Sequence, residues 1–513
     1  MPRTPAKDRP STPHPEYVAA APDVLLIRDL LAGTRTMQAN RELYIPKYER
    51  EQAKAYKRRA TAAKVYGGLG RTLSASVGML FAKPPHRSDN WPAAITQQAE
   101  NIDLAGALFE VFVKRAAEDA IADGFSVVLV DHPQPPASVT VHAGNEAALN
   151  LRPKWARYSR ADVISWRVAV IGNALIPTQV VFRETADVPD GAFGTKTVTR
   201  YRQCQLGLQA PNADGIHEFG ATWRLLEERE DGPNHKTFVQ IEVGAFRDRA
   251  GALFPQIPIA ICYAGRTDAP FCARPPLLDV AWANLEHWRT ATNLEYYSAL
   301  ACFPQPTLKG EMAKDAAGVP LPFALGPGVM VQVTKDSEFG WTEIDGRSLA
   351  ELRAQLADRK DEIGELGASF LARKTQGVET AEAKRLDATA ENASLATAAQ
   401  GLQDGINEAL RLHARYLGIA DAEAPTVTIN TDFDAITMDA QAMAAYVGAV
   451  QNAGLPPRIL LEAWQAGGRI GPDEDLEALE AEMMADAQAQ AEQKAAELAV
   501  AKQPPPPAVP VGP

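Results

Sequence analysis

The sequence gathers carboxylates in two places where they could hold a metal ion. Asp358, Asp361, Glu362 and Glu365 follow one another along one helical pattern, and Glu474, Asp475, Glu477 and Glu480 along another. Paired carboxylates can bind Mg²⁺ and support phosphodiester cleavage, the chemistry of a metal-dependent nuclease. In the first run Arg359 and Lys360 interleave the acids, the pattern of an ion-paired exposed face. The second run sits in a stretch that is polar on most sides, where solvated carboxylates are expected. Neither comes with a nucleophile, a base and an orienting group. The expectation is therefore no catalytic residue, no metal and no cofactor.

Other reaction signatures are missing as well. There is no GxxxxGK[ST] phosphate loop, and GGLGRT at 67–72 lacks both the third glycine of GxGxxG and a preceding strand. Neither GxSxG nor HExxH occurs. His287 and His413 each lie in a helical pattern with no second ligand one turn on, which reads as packing. Cys204, Cys262, Cys272 and Cys302 form no CxxC pair. They read as four small buried hydrophobes in a reducing compartment, with no disulfide framework and no zinc site.

Positive charge is concentrated instead. The chain has 513 residues and a net charge of −12, which argues against coating nucleic acid by simple attraction. Within it, Lys54, Lys57, Arg58, Arg59 and Lys64 make the start of 47–85 locally basic. Such a run is ordinarily a solvated helix face; the sharper alternative is contact with nucleic acid or an acidic neighbour. A second basic spot, Arg373 and Lys374, occupies a short hinge between two acidic helical patterns, with Gly367 and Gly377 on either side.

The elements that must position these residues are legible from periodicity. Residues 1–16 are Pro-rich and read as disordered. A helix over 17–33 ends at Gly33, which suits the left-handed position past a helix end. Residues 47–85 read as mostly helical until Pro84 and Pro85. Residues 103–124 read as a helix with Asp103 as N-cap and Leu104, Leu108, Val111 and Phe112 at helical spacing. FSVVLVD (125–131) has the length and β-branching of a buried strand, and from Trp155 to about Tyr263 the period shifts to two between turn residues. Helical spacing returns over 277–301, where Trp282, Leu285, Trp288 and Tyr296 form a stripe. Residues 302–347 read as a Gly- and Pro-rich α/β insertion. Ser348 and Glu351 have capping-box spacing at the start of a helix over 348–367 carrying Leu352 and Leu356. One long pattern over 380–418 turns Leu395, Leu402, Ile406 and Leu410 inward. Helices follow near 436–452, 457–466 and 471–502, and a Pro-rich tail closes the chain. No stretch has the ~18–20 apolar residues of a membrane span, and the first residues lack the apolar core of a signal peptide. A soluble α+β protein is expected.

Several runs resemble the portal proteins of tailed bacteriophages, in particular a group first catalogued as a domain of unknown function. They are PEYVAAAPDVLLIRDLLAGT, LYIPKY, RTLSASVGMLFAKPP, EDAIADGFSVVLVDHP, PPLLDVAWANLEHWRTATNLEYYSAL, and EIGELGASFL followed by VETAEAKRLDATAENASLATAA. The resemblance spans roughly 15–480 and rests on the order of these parts, none of which is chemically specific.

What it implies is a non-enzymatic ring, commonly of twelve copies, at one capsid vertex of a virion. Double-stranded DNA would pass along its axis during genome packaging and ejection, without sequence specificity. The expected partners are the chain itself, the terminase large subunit, a head–tail adaptor and the major capsid protein, with no membrane involved and synthesis in the host cytoplasm.

On this mapping 17–124 is the N-terminal helical part of the wing and 125–276 its β-rich body. Residues 277–301 and 348–367 are paired stem helices, 302–347 the clip, and 368–379 the tunnel loop. The long wing helix and following strand occupy 380–435, a helical crown 436–502, and a disordered tail 503–513. Arg373, Lys374, Thr375 and Gln376 would face DNA, with Lys384 and Arg385 as weaker candidates. Trp282, Leu285, Trp288, Tyr296, Leu352 and Leu356 would pack between subunits. An acidic wall with a narrow basic collar would centre a duplex without gripping it. An ordinary exposed loop paired with Glu379 or Glu382 is the alternative for that collar. For the whole chain the alternatives are a head or connector protein without a channel, or a metal-dependent nuclease.

Overall fold

The computed structural model describes residues 9–133, 149–209, 217–230, 236–302, 305–310, 335–342, 347–367 and 381–431, with short pieces between 314 and 319 and between 458 and 485. The chain divides into two units, Met1–Ile429 and Asn430–Pro513. In the second, the Asp475 side chain accepts from the amides of Glu477 and Ala478 and so caps a helical turn.

Helix α1 (Pro15–Ala32) opens with proline at its first position and His14 as N-cap, whose ring nitrogen accepts from the Glu16 amide. His14 also stacks on Trp166 at 4.1 Å. The helix stops where expected, at Gly33, whose φ of 88° and ψ of −164° only glycine adopts without strain. Short helices α2 (Thr34–Ala39) and α3 (Arg41–Tyr44) follow. The mostly helical stretch expected over 47–85 holds two helices, α4 (Ala53–Ala60) and α5 (Gly68–Leu80), with the chain turning between them through residues that include Gly67. Strand β1 (His86–Arg87) and helix α6 (Ala93–Gln98) lead to α7 (Phe109–Asp123).

Helix α7 starts six residues later than the spacing suggested. Asp103 is not its N-cap: the Asp103 carboxylate accepts from the amides of Ala105 and Ala107 in a turn that holds Leu104 at a φ of 59°. Leu108 and Val111 are exposed, while Phe109, Phe112 and Val113 are buried.

Strand β2 (Phe125–Asp131) is buried along its whole length, as its composition required. It is the middle of a three-stranded antiparallel sheet with β3 (Lys154–Ser159) and, further along the chain, β9 (Ile259–Tyr263). Between these two lies an antiparallel meander, β4 (Val163–Ile171), β5 (Ala174–Asp190), β6 (Gly194–Leu208), β7 (Phe219–Glu230) and β8 (Lys236–Ala245), paired in sequence order. Strands β10 (Thr267–Ala269) and β11 (Cys272–Ala273) form a small ladder before the chain turns helical.

At this corner backbone lies on backbone. Gly124 has a φ of 98°, and its carbonyl accepts from the amides of Ala264 and Gly265. A Cβ on Gly124 would come 2.9 Å from the Ala273 carbonyl oxygen, and one on Gly265 would collide with that of Arg274.

Helix α8 (Leu278–Cys302) runs next, then strands β12 (Gln305–Lys309) and β13 (Glu338–Thr342), which pair antiparallel from Gln305↔Thr342 to Lys309↔Glu338. Helix α9 (Arg347–Leu366) returns, and α10 (Ala381–Tyr416) is the long helix foreseen over 380–418. Strand β14 (Val427–Thr428) closes the unit against β1. Helices and sheets both form the framework, an α+β arrangement. The core gathers where α7 and α10 pack on the sheet of β2, β3 and β9: Trp155 is buried between Phe109 and Phe112, at ring distances of 5.7 and 5.5 Å.

Candidate functional site

Helices α8 and α9 lie antiparallel and are joined by an ion pair between Arg359 and Glu286 at 2.8 Å. Their inner ends meet α5 at a joint built on absent side chains. The Asn284 amide, buried on α8, donates to the Tyr66 carbonyl and accepts from the Leu69 amide, which fixes the start of α5. Gly68 then offers the space that Ile363 of α9 fills: a Cβ there would lie 2.6 Å from the Ile363 methyl. Gly367 is seated in the same way, 2.6 Å from the Thr72 hydroxyl by its virtual Cβ. It is not at positive φ among the described residues, so its role is close packing and not the backbone freedom expected from sequence. Residues 368–379 depart from this joint. Arg373, Lys374, Thr375 and Gln376 lie outside the described residues, as does Gly377. Lys384 and Arg385 fall within α10, with their side chains outside the description.

The expected stem stripe divides by environment. Leu285 and Trp288 are buried within the chain itself, the Trp288 indole donating to the Ala63 carbonyl at 3.3 Å. Tyr296, Leu352 and Leu356 are half-buried. Trp282 stays 44% exposed and, with Val18, Leu25 and Leu43, lines an apolar groove of about 400 Å³ between α1, α3 and α8. The partners that the sequence reading sought in a neighbouring copy are thus supplied internally for Leu285 and Trp288. The capping box proposed at Ser348 involves a side chain outside the description, and α9 begins one residue before it.

The basic segment 47–64 packs on the same helix α8. Arg59, 2% exposed, is drawn inward. It holds Glu51 at 2.8 Å, donates to the Pro46 carbonyl and to Asn293, and stacks 4.3 Å over Tyr48. That pair lowers the Glu51 carboxyl below its ordinary range, chiefly through the hydrogen bond from Arg59. Lys47, Arg50, Lys54, Lys57, Arg58 and Lys64 remain exposed.

The acidic runs are not assembled for chemistry. Asp358, Asp361 and Glu365 are exposed, and Arg359 ties Glu362 as well as Glu286, each at 2.8 Å. Glu474 is outside the described residues, and Asp475 serves as a cap. Among the described residues no three His, Cys, Asp or Glu side chains gather as a metal site. His287 is buried beside Tyr66, its pKa lowered by desolvation and then by Lys360. His413 is buried too. Its Nδ1 accepts from the Trp155 indole at 3.1 Å while Nε2 faces Gln98 at 2.6 Å, so it links α10 to β3 and α6. Cys204 and Cys262 are buried, and burial pushes the Cys262 thiol up to about 12. Cys272 is half-buried and Cys302 exposed at the end of α8, against the expectation of four buried thiols.

Two further features rest on contacts between residues far apart in the sequence. Gly401 and Gly405 set α10 directly on β9: a Cβ on Gly405 would lie 2.7 Å from the Ile261 carbonyl oxygen and 2.6 Å from the Cys262 sulfur, and one on Gly401 would collide with the Tyr263 carbonyl. Glycines one turn apart inside an otherwise good helix are the signal that marks such a contact. The other is a buried charge cluster, in which Arg28 of α1 pairs with Asp119 and Asp123 of α7 while Arg157 also pairs with Asp119. Burial raises the Asp123 carboxyl against the opposing pull of Arg28.

No curated protein matches the chain. Among solved structures, it is similar to a chain in the virion of a native gene transfer agent particle, at 12% identity and a TM-score of 0.36, with 83% of this chain and 98% of that one covered. Chains in the neck of an empty particle computed with C6 symmetry (11%, 0.37, covering 79% and 90%) and of a native particle computed with C12 symmetry (12%, 0.33, covering 87% and 98%) are similar too. Residues 276–417, from the corner before α8 to the end of α10, match the family model described as a domain of unknown function, DUF4055.

Proposed function

We propose that the protein is a portal: copies close into a ring at one capsid vertex of a virion, and double-stranded DNA passes along the axis during packaging and ejection. The observation that carries this reading is the order of parts inside the matched segment. An outgoing helix, a paired-strand insertion, an antiparallel returning helix and a long helix succeed one another, and the last two are separated by residues 367–380. It is the order on which the likeness to phage portals rests.

In this reading α8 and α9 are the stem and β12 and β13 the base of the clip, which would meet the terminase large subunit and then a head–tail adaptor, while the wing meets the major capsid protein. Residues 368–379, which follow the joint at Gly68, Asn284 and Gly367, line the channel in this reading. The exposed groove of Val18, Leu25, Leu43 and Trp282 would be covered by a neighbouring copy, since a heterologous contact of this kind closes rings. Twelve copies, and a basic collar from Arg373 and Lys374, belong to the same proposal.

The test is electron microscopy of the purified protein together with a packaging assay. Rings with a central hole are expected, and replacing Arg373 and Lys374 by alanine should lower DNA packaging or retention while rings still form. Particles without a hole refute the portal; full heads at undiminished yield refute the collar.

A further inference from the structure

The segment 47–64 concentrates exposed cations in one short stretch. On the sheet and along α10, arginines meet carboxylates: Arg200 with Glu227, Arg202 with Glu184, Arg411 with Glu408 and Asp421. On this segment Lys47, Arg50, Lys54, Lys57, Arg58 and Lys64 are exposed, and among the described residues none forms an ion pair. The local acids do not offset them. Glu51 is turned inward onto Arg59, which leaves Glu49 as the exposed carboxylate of the stretch.

We infer that this surface binds the phosphate backbone of duplex nucleic acid without reading sequence. Tyr56, Arg59 and Ala60 bury one side of α4 against α8, so Lys54, Lys57 and Arg58 project from the other, three and four residues apart on a single face. The backbone beneath them is fixed by Arg59 to Asn293 and by Trp288 to Ala63, so the charges stand on a rigid platform. An acidic protein partner fits less well. Protein interfaces are anchored by apolar or aromatic groups at their centre, and the one large exposed aromatic among the described residues of this segment, Tyr48, already has a ring face against the Arg59 guanidinium. Phosphate contacts need charge and hydrogen-bond donors alone. This inference goes beyond the portal reading and does not depend on it, because one copy carries the whole surface.

The experiment uses the full-length protein and a labelled 30-base-pair duplex of arbitrary sequence, followed by fluorescence anisotropy across a salt series. Binding is expected at low salt and should weaken steeply as salt rises. Lys54→Gln, Lys57→Gln and Arg58→Gln together, all exposed, should leave the circular dichroism spectrum unchanged. They should reduce affinity at least ~10-fold and flatten the log–log salt dependence by about 2.7, at ~0.9 per phosphate contact. Arg373→Ala with Lys374→Ala serves as the separate arm: loss there, with the triple variant binding as the wild type does, would implicate the 368–379 segment, not this surface, in DNA binding. No duplex binding by the wild type, equal affinity and salt slope in the triple variant, or binding of poly-glutamate in preference to DNA would each overturn the inference.

Discussion

A glycine-to-alanine change should have opposite signs at two helical positions of this protein. Gly78 lies inside α5, and a Cβ there meets nothing within 4 Å. Alanine then only restricts the unfolded chain and improves helix propensity, a gain of about 0.5–1 kcal/mol. Gly405 lies inside α10, where the same methyl group meets the Ile261 carbonyl oxygen at 2.7 Å, the Cys262 sulfur at 2.6 Å and the Cys262 Cα at 2.8 Å. These atoms belong mainly to the backbone of β9, which is itself paired to β2, so they cannot swing aside. Overpacking of this sort costs about 1–3 kcal/mol, and a fixed strand places it near the upper end. Subtracting the propensity gain leaves Gly405→Ala about 2 kcal/mol less stable. Equilibrium denaturation followed by tryptophan fluorescence, with Trp155 in the same core, measures both. A Gly405→Ala protein stabilised to the same extent as Gly78→Ala would refute the contact between α10 and β9.

Acid should destabilise the protein partly through His413. Burial lowers its pKa to about 3 from an ordinary 6.5. The native state therefore stays unprotonated while the unfolded chain takes up a proton, and stability is lost as pH falls below 6.5 until it reaches about 3. Between pH 7 and pH 5 this amounts to about 2 kcal/mol at ~1.4 kcal/mol per unit. His413→Gln should flatten that limb of a stability–pH profile; an unchanged profile would exclude His413 as its source. Arg59→Met should cost about 3 kcal/mol in denaturation midpoint analysis, because Glu51 would keep its half-hidden position without a partner. A change below about 1 kcal/mol would show that Glu51 simply swings into water.

Local chemistry was legible wherever the sequence repeats it. The alternation of β4 to β8, the buried run of β2, the stop at Gly33 and the inward Leu402, Ile406 and Leu410 all depend on neighbours within a few positions. The misreadings arose where a distant contact decides. The break between α4 and α5 exists because Asn284, more than two hundred residues away, captures the chain at Tyr66 and Leu69. Asp103 looked like a cap because its turn and a helix start use the same carboxylate-to-amide bonds. Arg28 gave no sign of its partners, which lie on α7. At the candidate site the cations of 47–64 were visible, but their lack of partners was not, since that follows from the direction Glu51 faces.

The corner at Gly124 and Gly265 has a mechanical consequence. Two stretches of main chain touch there with no side chain between them, immediately before the first turn of α8. Side-chain contacts can slip or change rotamer under load, whereas this one can only hold or break. Any push along α8 is therefore passed to the central sheet without play, and through β9 to α10, so the outgoing rod and the long helix answer to the same lever.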